Sequence, residues 1–263
     1  MSEGPQVAVR LEERKAGVVA TVVIDNARRL NSMNSALMGE FVEAMGGLAV
    51  DQRLRAVVLT GAGDAAFVGG ADIKEMGALR DPHGARAFIG RVHACCDAVR
   101  AVPVPVIARI QGFTFGAGLE LAASCDLRVA VDGAVFGMPE VRLGIPSVVE
   151  AALLPMLVGW GRTRQMLLLG ESFSAAEALA WGLVERVVPR AGLDAAVGEW
   201  VDQVLLGAPL AVRAQKALIR SWEDLPLRAA VQAGVESFAN SFATAEPREA
   251  MARFLEAQAA RKR

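Results

Sequence analysis

One glycine-rich stretch in the middle of the chain indicates how the fold is built: Gly112-Phe113-Thr114-Phe115-Gly116-Ala117-Gly118-Leu119-Glu120-Leu121. Residues 106–110 come before it and predict a strand, and residues 119–124 predict a helix. Glycines between a strand and a helix let the backbone bend and approach a ligand closely. The stretch therefore predicts a strand, a tight bend and the start of a helix.

A second stretch has the same construction: Phe67-Val68-Gly69-Gly70-Ala71-Asp72-Ile73-Lys74-Glu75-Met76. The N-terminal end of a helix has unpaired N–H groups and the positive end of the helix dipole, so it favours negative charge. Two such bends can aim two N–H groups at one oxygen, as is needed where a thioester carbonyl becomes an enolate. On local sequence alone, an ordinary glycine turn with Asp72 as helix N-cap remains the simpler explanation.

Two glutamates are candidates for acid–base chemistry. Glu120 stands among Gly, Ala, Phe, Leu and Ser residues, and the expected loss of water raises the pKa of a carboxyl group and suits it to proton transfer. Glu140 follows after one predicted helix, one strand and a hairpin arm, a path that can return the chain to the same edge. Two other interpretations stay open: Glu120 as a first-turn residue that complements the helix dipole, and Glu140 as a solvated loop residue.

The order of predicted elements indicates an α/β protein. Strands are predicted at 18–24, 54–60, 106–110, 127–131 and 134–136, and helices at 35–48, 73–79, 85–101 and 119–124. From residue 148 onward the pattern is mostly helical, with segments predicted at 149–157, 163–169, 175–181 and 193–205. The sequence therefore predicts an α/β core over 1–190 and a helical C-terminal region over 191–263, packed on the core or on a partner subunit.

The composition excludes several classes of protein. The chain has 263 residues, 53% of them apolar, and a net charge of −1, which gives no electrostatic basis for binding nucleic acid or an anionic membrane. The first five residues have no basic start followed by an apolar run, so a secretory signal is not expected. Three cysteines make no disulfide framework, which favours a cytoplasmic setting.

Three other kinds of site find little support. Gly61-Ala62-Gly63-Asp64-Ala65-Ala66 fits a dinucleotide-binding pattern, but Phe67-Val68-Gly69-Gly70 follows where a helix should begin. His83 and His93 are the only histidines and have no ligand cluster around them, so no metal site is predicted; both are interpreted as surface or helix residues. A G-x-S-x-G elbow is absent, which disfavours a serine hydrolase.

Taken together, four segments resemble the crotonase (enoyl-CoA hydratase/isomerase) superfamily in order and spacing. They are residues 67–76, 111–126, 136–144 and 176–184. The resemblance implies a crotonase (ClpP-like) spiral of repeated ββα units whose C-terminal helices drive trimerisation. It also implies an acyl-CoA substrate, a homotrimer or a dimer of trimers, and no separate cofactor, because coenzyme A is part of the substrate.

The resemblance also assigns roles to particular residues. Ala71 and Ala117 supply the two backbone N–H groups that bind the thioester oxygen, and Glu120 and Glu140 are the two catalytic carboxyl groups. The residues expected to contact coenzyme A are Arg29, Leu30, Ser32, Asp72 and Ile73, together with Ala71.

The segment after Glu140 departs from the family pattern. Typical hydratases have I-P-G-x-G-G-T-Q-R-L there, whereas residues 145–154 read IPSVVEAALL. Ser147 therefore stands near the position where the family has a glycine that helps to hold the catalytic water. Glu150 is an additional carboxylate, interpreted as a surface or structural residue of a helix. Retention of both Glu120 and Glu140 favours enoyl-CoA hydration. An enoyl-CoA isomerase or another acyl-CoA chemistry is the alternative, and a non-catalytic acyl-CoA-binding assembly subunit is the alternative of a different class.

Overall fold

The β-branched segments of the sequence form the strands of two sheets in the structure, a computed structural model that describes residues 4–261. Residues 1–3, on which the expectation of an absent secretory signal partly rests, lie outside the described part. The strands are β1 (Gln6–Arg14), β2 (Gly17–Asp25), β3 (Leu54–Gly61), β4 (Ala66–Val68), β5 (Val106–Ile110), β6 (Phe113–Phe115), β7 (Leu127–Val131), β8 (Val135–Gly137), β9 (Ser172–Ser174) and β10 (Arg186–Val188).

The helices follow the apolar periodicity of the sequence. They are α1 (Ser35–Ala49), α2 (Ile73–Gly77), α3 (Pro82–Ala101), α4 (Ala117–Ser124), α5 (Leu154–Leu169), α6 (Ala175–Trp181), α7 (Leu193–Leu206), α8 (Pro209–Trp222), α9 (Leu227–Ser241) and α10 (Glu246–Arg261). On α1 the residues Leu37, Phe41, Met45 and Leu48 recur at helical spacing and are all buried, so this helix packs one face into the core.

The larger sheet has the strand order β1-β2-β3-β5-β7-β10, and the smaller sheet has the order β4-β6-β8-β9. β1 and β9 each pair antiparallel with a neighbour, while the other pairs are parallel. Every residue of β3 is buried, as expected for a parallel strand that is covered on both faces.

Each repeat of the chain adds one strand to each sheet and then a helix. β3 and β4 lead to α2 and α3, β5 and β6 to α4, and β7 and β8 to α5. Because β3, β5 and β7 are neighbours in one sheet and β4, β6 and β8 in the other, successive repeats stack as turns of a spiral. The structure thus has the ββα spiral that the resemblance implied.

Helices alone follow β10, as the sequence pattern predicted near residue 190. α7 packs on β3, β5 and β7, whereas α8 is fixed to the core through a buried lysine. Lys216 Nζ donates hydrogen bonds to Asp126 Oδ2 at 2.7 Å and to the Val104 carbonyl at 2.9 Å. In the described part of the chain no single helix is long and apolar enough to cross a bilayer; one pair, Arg190–Leu206 with Pro209–Trp222, reaches that length and composition jointly but is bent by 108°.

One segment differs from its sequence prediction in a way that matters for the site. Residues 149–157 were predicted as a helix, but the first five, Val149–Leu153, form a 3-10 turn and α5 begins only at Leu154. Val149 has a positive φ of 41°, which a helix does not contain. The change of direction at Val149 brings the turn against α3 and α4.

Candidate active site

The carboxyl ends of two short parallel strands bring the two glycine-rich bends together. β4 and β6 are neighbours in the smaller sheet, and each is followed by a bend and then by a helix, α2 or α4. Gly70 has φ +114° and Gly116 has φ +52°, conformations that favour glycine. A side chain at Gly70 would lie 3.2 Å from the Phe115 carbonyl, so the two bends are close neighbours.

The N–H groups of Ala71 and Ala117 are free to bind a ligand. The parallel bridge between Met33 and Ala71 uses the Gly70 carbonyl and the Asp72 N–H, and Ala117 opens α4 as its first residue. Within residues 4–261 neither N–H has a hydrogen-bond acceptor. Both residues line one cavity, so the two bends can present two donors to a single oxygen.

The same cavity contains both predicted carboxyl groups. Its wall includes Glu120 and Glu140 together with apolar side chains of α2, α3 and the segment after Glu140, which are Ile73, Met76, Phe88, Ile89, Val92, Leu143, Ile145 and Val148. The structure therefore brings the four predicted catalytic residues, which come from three separate segments of the sequence, to one apolar cavity. That arrangement is what polarisation of a carbonyl and proton transfer at neighbouring carbons require.

Glu120 is a buried acid. It lies in the first turn of α4 and is only 4% exposed. Burial, together with the nearby charge of Glu140, raises its pKa to about 8. Its Oε1 accepts a hydrogen bond from the Ala151 N–H at 3.3 Å, which favours the ionised form but does not outweigh burial. Glu120 is therefore mainly protonated near neutral pH.

Glu140 is half-buried and lies directly against the second bend. It begins the 3-10 turn Glu140–Leu143, and a side chain at Gly116 would collide with its Oε1. The hydroxyl of Ser147 donates a hydrogen bond to Oε2 at 2.8 Å. The departure from the family pattern that the sequence revealed at Ser147 is thus in direct contact with a candidate catalytic carboxylate.

The residues expected to contact coenzyme A cluster beside the first bend. The Leu30 carbonyl accepts the Gly69 N–H at 2.8 Å, and Arg29 forms an ion pair with Asp72 at 3.1 Å. Ser32 follows in the same turn, where its N–H bonds to the Arg29 carbonyl. Of the six expected contacts, Ala71 and Ile73 are part of the cavity wall, and Ile73 is exposed there.

Asp72 has a structural role as well. Its Oδ1 accepts the Glu75 N–H at 2.9 Å and so caps α2. The pKa of Asp72 is lowered, first by this backbone hydrogen bond and further by Arg29. The N-cap interpretation that the local sequence left open therefore describes Asp72 correctly, whether or not coenzyme A also contacts it.

Sequence reasoning missed a pair of side chains behind Glu120. Glu150, interpreted as a helix-surface or structural residue, is only 8% exposed and lies in the turn Val149–Leu153. Its Oε1 is 2.7 Å from Nδ1 of His93 on α3, and its Oε2 is buried with no hydrogen-bond partner in the described residues. The extra carboxylate in the altered segment was the only signal, and nothing in the sequence linked it to His93.

Metal chemistry finds no ligand set in the described part of the chain. Residues 4–261 contain no group of three or more His, Cys, Asp or Glu side chains placed to hold a metal ion.

Fold and site together define an acyl-thioester enzyme with a spiral ββα core. The family model for enoyl-CoA hydratase/isomerase matches residues 13–261, and this chain belongs to the enoyl-CoA hydratase/isomerase family. It is 36% identical over 243 residues to a short-chain-enoyl-CoA hydratase of Clostridium acetobutylicum, covering 92% of this chain and 93% of the relative. A crotonyl-CoA hydratase of Syntrophomonas wolfei is 35% identical, with 90% and 92% covered.

Solved structures agree with the sequence relatives. The crystal structure of an enoyl-CoA hydratase from Bacillus anthracis superposes with a TM-score of 0.89 at 30% identity, covering 95% of this chain and 96% of that one. An enoyl-CoA hydratase from Mycobacterium smegmatis has the same TM-score at 31% identity, with 94% and 96% covered. The crotonase fold predicted from the four segments is thereby confirmed.

Proposed function

We propose that this protein is an enoyl-CoA hydratase that adds water across the 2,3 double bond of a 2-enoyl-CoA thioester. The observation that carries the proposal is a single cavity lined by two unpaired backbone N–H groups and two carboxyl groups. Relatives named for short-chain-enoyl-CoA and crotonyl-CoA hydration, aligned over nine tenths of the chain, support it.

The backbone donors activate the substrate. The thioester oxygen accepts hydrogen bonds from the N–H groups of Ala71 and Ala117, which withdraws electrons from C3 and stabilises the enolate that forms when C3 is attacked. Loss of one such donor typically slows a reaction by about 10²–10³-fold. Because the donors belong to the backbone, alanine at both positions is compatible with the role.

The two carboxyl groups handle the water and its protons. Glu120, protonated near neutral pH because its pKa is raised to about 8, donates a hydrogen bond to the water. Glu140 accepts a proton from that water as its oxygen bonds to C3. The electrons of the double bond move into the enolate, and a proton from the carboxyl pair then passes to C2, which leaves one proton on the pair as before. Nothing in this sequence of steps needs a cofactor, and we propose none.

Coenzyme A is expected to bind beside the first bend. Arg29 has an exposed guanidinium that still pairs with Asp72, and an exposed arginine can meet the phosphate charge of the nucleotide. Leu30 and Ser32 lie on the same turn and Ile73 lines the cavity. The cavity volume of about 100 Å³, compared with the 10–15 Å³ that one water needs, leaves room for a substrate group larger than one water.

Isomerisation is a second candidate because of Ser147. Its hydroxyl donates a hydrogen bond to Oε2 of Glu140, and Ser147 stands near the position where the hydratase pattern has a glycine that helps to hold the water. With no water held there, Glu140 would move a proton between C2 and C4 of a 3-enoyl-CoA instead. The donors and the cavity serve both reactions equally.

Product analysis tests the proposal. Pure protein incubated with crotonyl-CoA is expected to form 3-hydroxybutyryl-CoA, and Glu140→Gln is expected to lower kcat by about 10²–10⁴-fold because proton transfer is lost. Conversion of a 3-enoyl-CoA without hydration would identify an isomerase. Binding of acyl-CoA with no turnover of either substrate would identify the non-catalytic subunit.

We propose a homotrimer or a dimer of trimers formed through the C-terminal helices, which expose large apolar side chains. A cytoplasmic location agrees with the three cysteines, which are buried and form no disulfide.

A further inference from the structure

The 3-10 turn Val149–Leu153 is strained at its first residue. Val149 has φ +41°, and a β-branched side chain in the left-handed region is a genuine outlier because its Cβ crowds the backbone. Such a conformation persists only where surrounding contacts hold it, and strained residues of this kind cluster at functional sites. The contacts made by the next two residues, Glu150 and Ala151, show what holds Val149 in this conformation.

Those contacts lead to two different helices. Glu150 Oε1 is 2.7 Å from His93 Nδ1 on α3. The Ala151 N–H is shared between the Val148 carbonyl, at 2.9 Å, and Oε1 of Glu120 on α4, at 3.3 Å. The turn is thus a bridge between a solvent-accessible histidine, whose side chain is 58% exposed, and the buried acid of the active site.

The burial of Glu150 argues that this residue does more than fill space in the core. A buried carboxylate with one unpartnered oxygen is unfavourable, and its charge also acts on Glu120. An apolar residue would pack this position without that cost. The contact with His93 fixes the direction of the Glu150 carboxylate, because it connects the turn to the long helix α3.

We propose that the His93–Glu150 pair is a positioning device for Glu120, which holds the strained turn so that the Ala151 N–H fixes the orientation of the Glu120 carboxyl. The inference rests on the proposed function, since it is in acyl-CoA turnover that this orientation matters. A carboxyl group held in one direction transfers a proton more effectively, and misplacement by about 1 Å can cost about 10²-fold in rate. Neither His93 nor Glu150 touches the cavity, so neither is a catalytic residue.

Four substitutions separate positioning from charge. His93→Ala and Glu150→Ala break the pair. Glu150→Gln removes the charge but keeps an acceptor for His93. His83→Ala is the matched control, because His83 is an exposed histidine of the same helix.

Kinetics with crotonyl-CoA give the first readout. H93A and E150A are expected to lower kcat by about 10-fold to 10²-fold with little change in KM, whereas E150Q and H83A stay close to the wild type. Wild-type kcat in E150A would overturn the proposal. So would an E150Q enzyme as slow as E150A, since the charge rather than the direction would then be what counts.

Relief of the strain at Val149 gives an independent check. Glycine adopts positive φ without penalty, so in a Val149→Gly background the turn keeps its shape with less help from the pair. H93A is therefore expected to reduce kcat less in V149G than in the wild-type chain. Equal reductions in the two backgrounds would show that the pair does not hold the strained residue.

Hydrogen exchange decides the point even if no enoyl-CoA is turned over. Mass spectrometry should show faster exchange of the 149–153 segment in H93A and E150A than in E150Q and H83A, with unchanged thermal unfolding midpoints in H93A because His93 is on the surface. An inactive wild type would refute the proposed function alone. Unchanged exchange in H93A and E150A would refute the positioning role.

Discussion

At the scale of single residues, the most consequential feature is the proton that Glu120 holds. Its pKa of about 8, against an ordinary value of 4.5, results first from burial. If Glu120 works as the protonated partner, kcat/KM for hydration should fall as pH rises through about 8, because the acid is then lost. A pH–rate profile with crotonyl-CoA checks this. A rate that is flat from pH 7 to pH 9 would contradict it.

The raised pKa of Glu120 also leads to a prediction about the free energy of unfolding. Because the folded state holds a proton that the unfolded state releases above about 4.5, the free energy of unfolding falls as pH rises from about 4.5 towards 8. Glu120→Gln removes this contribution. The variant should therefore be more stable than the wild type at pH 8, by urea denaturation, while losing activity.

The sequence predicted this residue but not its surroundings. The apolar neighbours of Glu120 were enough to indicate burial and a raised pKa, because the environment of a first-turn residue is partly local. Its contact with Ala151, and the contact of Glu150 with His93, join residues far apart in the chain. No local pattern records such contacts, so Glu150 was interpreted as surface or structural and His93 as a surface or helix residue.

At the scale of elements, the catalytic geometry depends on the two glycine bends. A side chain at Gly116 would collide with Glu140 Oε1. Gly116→Ala is therefore expected to displace Glu140 and lower kcat/KM for crotonyl-CoA by about 10²-fold or more. Gly63→Ala is the control, because Gly63 also has a positive φ, of 68°, but a side chain there would meet only Ala27 Cβ at 3.8 Å, an ordinary van der Waals contact.

The Gly63→Ala control separates the effect of the collision with Glu140 from the effect of backbone strain. Both substitutions place alanine at a positive φ, which strains the backbone of a residue with a Cβ, and both should lower the unfolding midpoint. Only G116A should lose activity out of proportion to that loss. If G63A and G116A were equally active, the closeness of Gly116 to Glu140 would have no functional meaning.

The strands that position these bends were the hardest elements to predict. A long buried strand such as β3 carries a largely apolar run and a long helix such as α1 carries clear periodicity, and the sequence predicted both. β4 and β6 have three residues each, too few for any period to show. β1 was missed because it is mostly exposed and polar, and β9 and β10 because they lie in a segment dominated by helices. The four crotonase-like segments supplied what periodicity could not.

At the scale of the whole molecule, the C-terminal helices present an apolar surface that a single chain leaves exposed. Leu227 is 82% exposed and Phe238 is 68% exposed on α9, with Met251, Phe254 and Leu255 exposed on α10. Contiguous exposed apolar patches mark interaction surfaces, and identical chains close into symmetric rings when the patch on one fits the next. We therefore propose that copies of the chain bury these side chains between them.

Light scattering of the purified protein should therefore give three or six times the mass of one chain. Phe238→Asp places a charge in the proposed interface and is expected to shift the mass towards that of a monomer, because an unpaired charge is costly to bury. Val50→Asp is the matched control, since Val50 is 74% exposed at the end of α1, far along the chain from these helices. A monomeric wild type, or an F238D protein that assembles as fully as V50D, would mean that this surface has another partner.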